Sequence, residues 1–230
     1  PEARFDMPTW AAAKAAETTR LEGVYRQLLA GSGVQLVEGW ASLAGPNTVQ
    51  VGGRMLTARH ILVATGSAPV RDSIPGIGAC ATSDDLLDLT ALPARAAVIG
   101  GGFIAVEFAS MLARLGVQVA QFYRDRLPLR GFDSMLRQAA ASALQAAGVA
   151  LHPGAAPQRI DQDGALLQLV LPDGQVQTFP WVLNGTGRRP NTAGLGLALD
   201  AQGAVPVDSQ CNTAVPRSEE HTSELQSRYV

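Results

Sequence analysis

Lysine is almost absent from this chain: Lys14 stands alone against 17 arginines. Cysteine and histidine are nearly as scarce, at two and three residues. Cys80 and Cys211 lie 131 positions apart (211 − 80), and His60, His152 and His221 are scattered. No disulfide framework, short-spaced redox dithiol or metal cluster is readable in that spacing, and both cysteines read as ordinary buried thiols. No stretch of about 20 apolar residues occurs, so no transmembrane helix is expected. A net charge of −2 and a pI near 5.9 argue against a sequence-independent grip on nucleic acid or an acidic membrane. Pro1 is not a start residue, so an upstream segment with any targeting signal is expected to precede it.

What the chain does have is apolar mass. Hydrophobic residues make up 47% of 230 and charged residues 17%, enough for one large domain or two small ones with a substantial core. The excess of arginine, alanine and glycine reads as the signature of a GC-rich coding sequence rather than of a function.

Along the chain, "PTWAAAKAAETTRLEGVYRQLL" predicts a helix capped by Thr9 and closed by Gly31. Strands are expected at "VQLVEG", "TVQV" and "MLTARHILVATG", and Ser83 is placed as the cap of a short helix in "SDDLLDLTALP". "AAVIGGG" is a buried-strand pattern ending in glycines. "FIAVEFASMLARLG" is a helix with Gly116 just past its end, and "VQVAQFYR" the next strand. Further on come a helix over 134–147, a strand "GVALHPG", and a hairpin "ALLQLVLPDGQVQTF" turning at Pro172-Asp173-Gly174. Last comes a strand "WVLNGTGRRPN" that runs into a glycine turn. Strand, helix, strand with β additions points to an α/β dinucleotide fold. The segment "RSEEHTSELQS" at 217–227 breaks with this composition and resembles the translation of a commonly used sequencing-library adapter. Residues 217–230 are therefore set apart from the fold as an artefact.

The chemistry concentrates at "VIGGGFIA". Gly100-x-Gly102-x-x-Ala105 sits between a strand and a helix, the context a dinucleotide fingerprint requires. Gly100 permits the tight turn, Gly102 lets backbone approach a pyrophosphate, and Ala105 allows close helix–sheet packing. The amides at the helix N-terminus then hold phosphate. About 20 residues on, an NAD-binding unit carries Asp or Glu for the ribose 2′-hydroxyl. Here that acid is missing, and the chain reads "FYRDRLPLR". Arg124 and Arg130 would instead clamp a 2′-phosphate from two sides, so the expected nucleotide is NADPH. Asp125 dissents, but it lies beyond the strand end. Glu107, in the first turns of the glycine helix, suits the helix dipole and also fits a place near the nicotinamide end.

Three separated motifs resemble the pyridine nucleotide-disulfide oxidoreductase family, and its glutathione-reducing branch most closely: "ILVATGSAP", "VIGGGFIAVEFA" with "YRDRLPLRGFD", and "NGTGRRPNT". "FDMPTW…RLEGVYRQLL" and "VPVDSQCNTAVP" extend the likeness over residues 1–216. The resemblance implies a Rossmann-like NAD(P)-binding domain inserted in an incomplete FAD-binding domain. Its bounds would be 1–66 for the partial FAD domain, 67–190 for the NADPH domain and 191–216 for the return toward FAD. It implies that Ala64, Thr65 and Gly66 approach FAD, with Trp40 and Ala41 near its adenosine end. It adds Gly101, Ile104, Glu107 and Gly187 to the NADPH contacts, and it implies Arg188 as a cofactor contact without saying which cofactor. It implies an enzyme passing hydride from NADPH through FAD to an active-site disulfide, whose dithiol reduces glutathione disulfide, in a cytoplasmic homodimer. Phe103 departs from the tyrosine usual at its position as a lid over the flavin. The family's first FAD motif and Cys-x₄-Cys pair would lie upstream of Pro1. Its second FAD motif and the dimerisation domain with the catalytic histidine would lie beyond residue 216. A dihydrolipoamide dehydrogenase, mercuric reductase or transhydrogenase, and a non-catalytic dinucleotide-binding protein, stay open as alternatives. The paired arginines count against the NAD-dependent members.

Overall fold

The computed structural model describes residues 5–215 and the backbone of 218–220. It begins with α1 (Met7–Gly31), then β1 (Ala41–Gly45), β2 (Thr48–Val51), β3 (Arg54–Thr57), β4 (Ile61–Val63), β5 (Ser67–Pro69) and a 3-10 turn at Ile77–Ala79. The central stretch is α2 (Ser83–Leu87), β6 (Arg95–Ile99), α3 (Phe103–Arg114), β7 (Gln118–Tyr123), α4 (Ser134–Ala146) and β8 (Ala150–Pro153). After it come β9 (Arg159–Asp163), β10 (Leu166–Val170), β11 (Val176–Phe179), β12 (Val182–Asn184), β13 (Arg188–Pro190) and β14 (Ser218–Glu220). Two compact units form, Pro1–Ala16 with Pro69–Gly187 and Glu17–Ala68 with Arg188–Val230.

The first unit is built on a parallel sheet in the order β12-β6-β7-β8. Strands covered on both faces need near-continuous apolar runs, and "RAAVI" and "QVAQFY" supply them. Alternation then decides which face each side chain serves. Ala96, Val98 and Val119 pack with Ala109 and Leu112 of α3 and Leu144 of α4. Ala97, Ile99, Ala120 and Phe122 point the other way, onto the antiparallel sheet β11-β10-β9 through Leu167, Leu169 and Phe179. The result is three layers: helices, parallel sheet, antiparallel sheet. Leu112 and Phe122 are fully buried, each contributing about 1.5–3 kcal/mol of apolar burial. Helix α3 forms because Ala105, Ala109 and Leu112 recur at helical spacing on its buried face. Gly116, at φ +90°, ends it two residues past Arg114.

In the second unit β1, β2 and β3 form an antiparallel meander, and Ile61–Val63 of β4 pairs in parallel with Ser218–Glu220. An open strand edge offers unpaired N–H and C=O groups to any extended segment within reach. Backbone pairing therefore asks nothing of the composition of 218–220. The rest of the segment set apart in the sequence, residues 217 and 221–230, lies outside the described residues.

Several expectations are corrected. Helix α1 starts three residues earlier than a Thr9 cap would place it, because Asp6, not Thr9, caps it: Asp6 accepts from the Thr9 amide at 3.0 Å. Gly31 is its last helical residue, and Gly33, at φ +72°, makes the left-handed turn out. "VQLVEG" forms no strand, since no described strand runs beside it; Val34 and Leu36 stay half exposed. "MLTARHILVATG" breaks into β3 and β4. The cap of α2 is Thr82 rather than Ser83, with Asp85 Oδ2 accepting from both the amide and the hydroxyl of Thr82 at 2.7 Å. Strands β1, "ASLAG", and β9, "RIDQD", went unread because their sequences carry little apolar alternation. No helix among the described residues is long and apolar enough to cross a membrane.

Candidate functional site

Three parallel strands stop side by side, and a cleft of about 480 Å³ opens at their carboxyl ends. Its wall is made by the turns leaving those strands: Gly100 to Ile104 after β6, Arg124 to Arg130 after β7, and Gly185 to Gly187 after β12. The chain leaves β6 toward β7 and β8 but returns on the opposite edge as β12. That reversal of direction is where open α/β sheets bind ligands.

The glycines have distinct duties. A Cβ on Gly100, at φ +128°, would stand 2.3 Å from the Gly185 carbonyl oxygen. A Cβ on Gly185 would meet the Ala105 Cβ at 2.9 Å and the Ile99 oxygen at 3.0 Å. The two glycine turns thus touch backbone to backbone, joined by the Gly185 amide donating to Ile99 O at 2.7 Å. Ala105, fully buried, is small enough to allow it, the packing role read for it in the sequence. Gly102 differs: it caps α3 at φ −79°, and a Cβ there would meet nothing within 4 Å. Glycine at this position keeps space open rather than relieving a clash. The first helical bond of α3 runs from the Val106 amide to Gly102 O at 3.1 Å. The amides of Phe103, Ile104 and Ala105 come before it and have no carbonyl a turn back. With the positive end of the helix dipole they suit a phosphate.

Across the cleft stands the loop from β7 to α4. Arg124 and Arg130 are exposed and both line the cleft; Asp125 also lines it, while Arg126 does not. Two guanidiniums against one carboxylate leave this wall cationic. The loop is tied at its start by the Ala155 amide to Tyr123 O (3.1 Å) and the Gly154 amide to Asp125 O (3.3 Å). Leu129 takes a left-handed φ of +55° and donates its amide to Gly101 O at 2.6 Å, fixing the arginine loop to the glycine turn.

Sequence reading missed the network behind the cleft. Asn184 donates to Val70 O at 2.6 Å and accepts from the Thr186 amide and hydroxyl at 3.1 and 2.8 Å. The Thr186 hydroxyl also meets Ser73 Oγ at 2.9 Å. A polar residue ending the apolar run "WVLN" was the available signal, since a buried amide must find partners. Glu107 is exposed and does not line the cleft; it lies one turn beyond Phe103, which does. Gly187 lines the cleft, at φ +135°.

In the second unit, Thr65 O and Gly66 O accept from the Asn191 side chain (3.1 Å) and amide (2.9 Å), and Ala64 is exposed beside them. Trp40 is 97% exposed, and Ala41 opens β1 next to it. Arg188 donates to the Ser67 hydroxyl at 2.9 Å and carbonyl at 2.6 Å, binding two segments of its own unit.

The cysteines are both free. Cys80 is buried, and desolvation pushes its thiol up to about 12, far from a reactive thiolate. His152 stacks on Phe122 with centroids 4.4 Å apart, and burial holds it below its ordinary value. Among the described residues no group of three or more His, Cys, Asp or Glu could hold a metal ion.

Comparison with known proteins decides the family. Residues 2–217 match the family model described as pyridine nucleotide-disulphide oxidoreductase. The chain belongs to that family. It is 42% identical over 210 residues to a glutathione reductase of Burkholderia cepacia, covering 89% of this chain and 47% of that one. A chloroplastic/mitochondrial glutathione reductase of Pisum sativum is 36% identical over 222 residues, covering 94% and 40%. Among solved structures, the HOCl-induced flavoprotein disulfide reductase RclA of Escherichia coli superposes with a TM-score of 0.87 at 27% identity, over 94% of this chain and 52% of that one. The chain thus spans less than half the length of these two curated relatives.

Proposed function

We propose that this chain is the NADPH-binding segment, with part of the FAD cradle, of a flavoprotein disulfide reductase acting on glutathione disulfide. The observation that carries the reading is the charge of the cleft. Arg124 and Arg130 line it where an enzyme reading a ribose 2′-hydroxyl needs a carboxylate. A guanidinium grips a phosphate bidentately, and a carboxylate there would repel it. The open Cβ position at Gly102 and the free amides opening α3 suit a pyrophosphate. Gly100, Gly101, Ile104 and Gly187 would close around the same nucleotide, and Glu107 would stand near its nicotinamide end. Ala64, Thr65, Gly66, Trp40 and Ala41 would meet FAD.

When bound, the nucleotide and flavin supply hydride and carry an electron pair to a disulfide. The residues of this chain bind and orient. The arginines hold the 2′-phosphate end, the α3 amides the pyrophosphate, and Phe103, 56% exposed at the cleft, offers a ring as cover. Glutathione disulfide as substrate is supported by the names of the two relatives at 42% and 36% identity. Two free thiols suit a reducing compartment such as the cytoplasm, where we place the parent enzyme; its assembly as a homodimer rests on the family resemblance alone.

The test uses the full-length enzyme carrying this segment, with Arg124→Met and Arg130→Met combined. A charge-assisted hydrogen bond is worth about 1.5–3 kcal/mol, and exposure of both side chains favours the lower figure. Each loss then costs about tenfold, and the KM preference for NADPH over NADH should fall about 100-fold. An unaltered preference refutes the cofactor reading. An enzyme that oxidises NADPH with other disulfides but not with glutathione disulfide refutes the substrate alone.

A further inference from the structure

Arg137 lies outside the cleft, in the first turn of α4, four residues past the Asp133 cap. A cation near a helix N-terminus opposes the dipole, so the helix itself gives no reason for it. Its partners do. Arg137 Nε donates to Pro128 O at 2.8 Å, and its terminal nitrogen to Leu127 O at 2.7 Å. Both carbonyls belong to the loop that presents the cleft arginines, and Leu127 itself lines the cleft. Pro128 is almost fully buried and has no amide to donate, so its carbonyl is the group through which the backbone there can be held. The next residue is Leu129, with its left-handed φ of +55°, a conformation that persists only where surroundings over-determine it.

The two ends of the loop are held differently. Arg124 stands between Tyr123 and Asp125, whose carbonyls are taken by backbone amides of Ala155 and Gly154. Arg130 comes after the stretch taken by a side chain, Arg137, together with the Leu129 amide on Gly101. We propose that Arg137 is a positioning residue that sets Arg130 against the cleft and so helps fix the preference for a 2′-phosphorylated nucleotide. The inference rests on the reading of the cleft as an NADPH site. Arginine rather than lysine is needed because two neighbouring carbonyls must be met at once by a rigid fork of donors.

The experiment is calorimetric titration of the full-length enzyme with adenosine 2′,5′-bisphosphate and, separately, with 5′-AMP. For Arg137→Met the expected result is about a tenfold loss of affinity for the bisphosphate, with 5′-AMP binding retained. Arg137→Lys, keeping one charge but not the fork, should fall between. Because the effect passes through Arg130, it should largely vanish in an Arg130→Met background and persist in an Arg124→Met background. Equal weakening of both ligands, an unaltered ratio, or additivity with Arg130→Met overturns the proposal. If Arg137→Met does not fold, Arg137→Lys decides: a wild-type ratio of the two affinities overturns it. A wild-type enzyme that binds both nucleotides equally refutes instead the reading of the cleft.

Discussion

The same substitution two residues apart should have opposite consequences. Gly100→Ala places a methyl 2.3 Å from the Gly185 oxygen, at a φ of +128° that L-residues avoid. Neither atom can yield cheaply, because Gly185 is itself bonded to Ile99 O at 2.7 Å and the Gly100 amide to Phe122 O at 2.9 Å. Backbone strain of about 1–3 kcal/mol adds to an overlap that must push neighbouring strands apart, also worth about 1–3 kcal/mol. The total loss is about 2–6 kcal/mol. Gly102→Ala meets no atom within 4 Å and keeps an ordinary φ of −79°. Alanine is the poorer N-cap by about 0.5–1 kcal/mol, but it restricts the unfolded chain by a similar amount, so the net change should be within about 0.5 kcal/mol. Its methyl instead occupies the space left for a phosphate. The full-length enzyme carrying either variant is followed by thermal unfolding and by KM for NADPH. Gly100→Ala should lower the melting temperature; Gly102→Ala should not, yet should raise KM tenfold or more, or about 1.4 kcal/mol of binding. The reasoning is refuted if Gly102→Ala melts as low as Gly100→Ala, or if it melts normally and binds NADPH normally.

Gly185→Ala should destabilise by about 1–3 kcal/mol through its contacts with Ala105 Cβ at 2.9 Å and Ile99 O at 3.0 Å. Ala105→Gly relieves only the first, so the double variant should recover some of the loss in a thermal-melt cycle; strict additivity would show that the turns do not touch as described. The buried Cys80 thiol has its folded value raised from 9.0 to about 12. The native state therefore holds a proton that the unfolded state releases across that window. Stability from this group is fully present below pH 9 and lost as pH rises toward 12, a decline that denaturant titration should find smaller in Cys80→Ala.

How much of this was legible depends on which physical rule wrote each element. Strands β6 and β7 were readable because both faces are buried and the sequence must then be largely apolar, even with Gln121 buried in β7. Strand β9 was not, because only Ile160 of "RIDQD" is buried and the rest of the strand is polar surface. "VQLVEG" failed in the opposite sense, having the right residues but no described strand beside it to complete a ladder. The caps of α1 and α2 were each placed near a correct residue type but off by position. Asp6, Thr9, Thr82 and Ser83 all can cap, and only the direction of the incoming backbone chooses among them.

The site divides along a similar line. Glycines that face backbone, as Gly100 and Gly185 do, announce themselves because no other residue satisfies the constraint. Groups that work through main-chain carbonyls do not, since every residue carries the same carbonyl. Asn184 and Arg137 both act this way, on Val70 in one case and on Leu127 and Pro128 in the other. A motif therefore records where a ligand would touch the chain and is silent about the groups that hold the chain there. In this cleft the silent groups are the ones with alternatives. The turn at Gly100 is fixed by sterics, but the loop bearing Arg130 is fixed by two hydrogen bonds from one side chain and one strained leucine. If the proposed function holds, selection on nucleotide preference can act there without changing any residue that would touch the nucleotide.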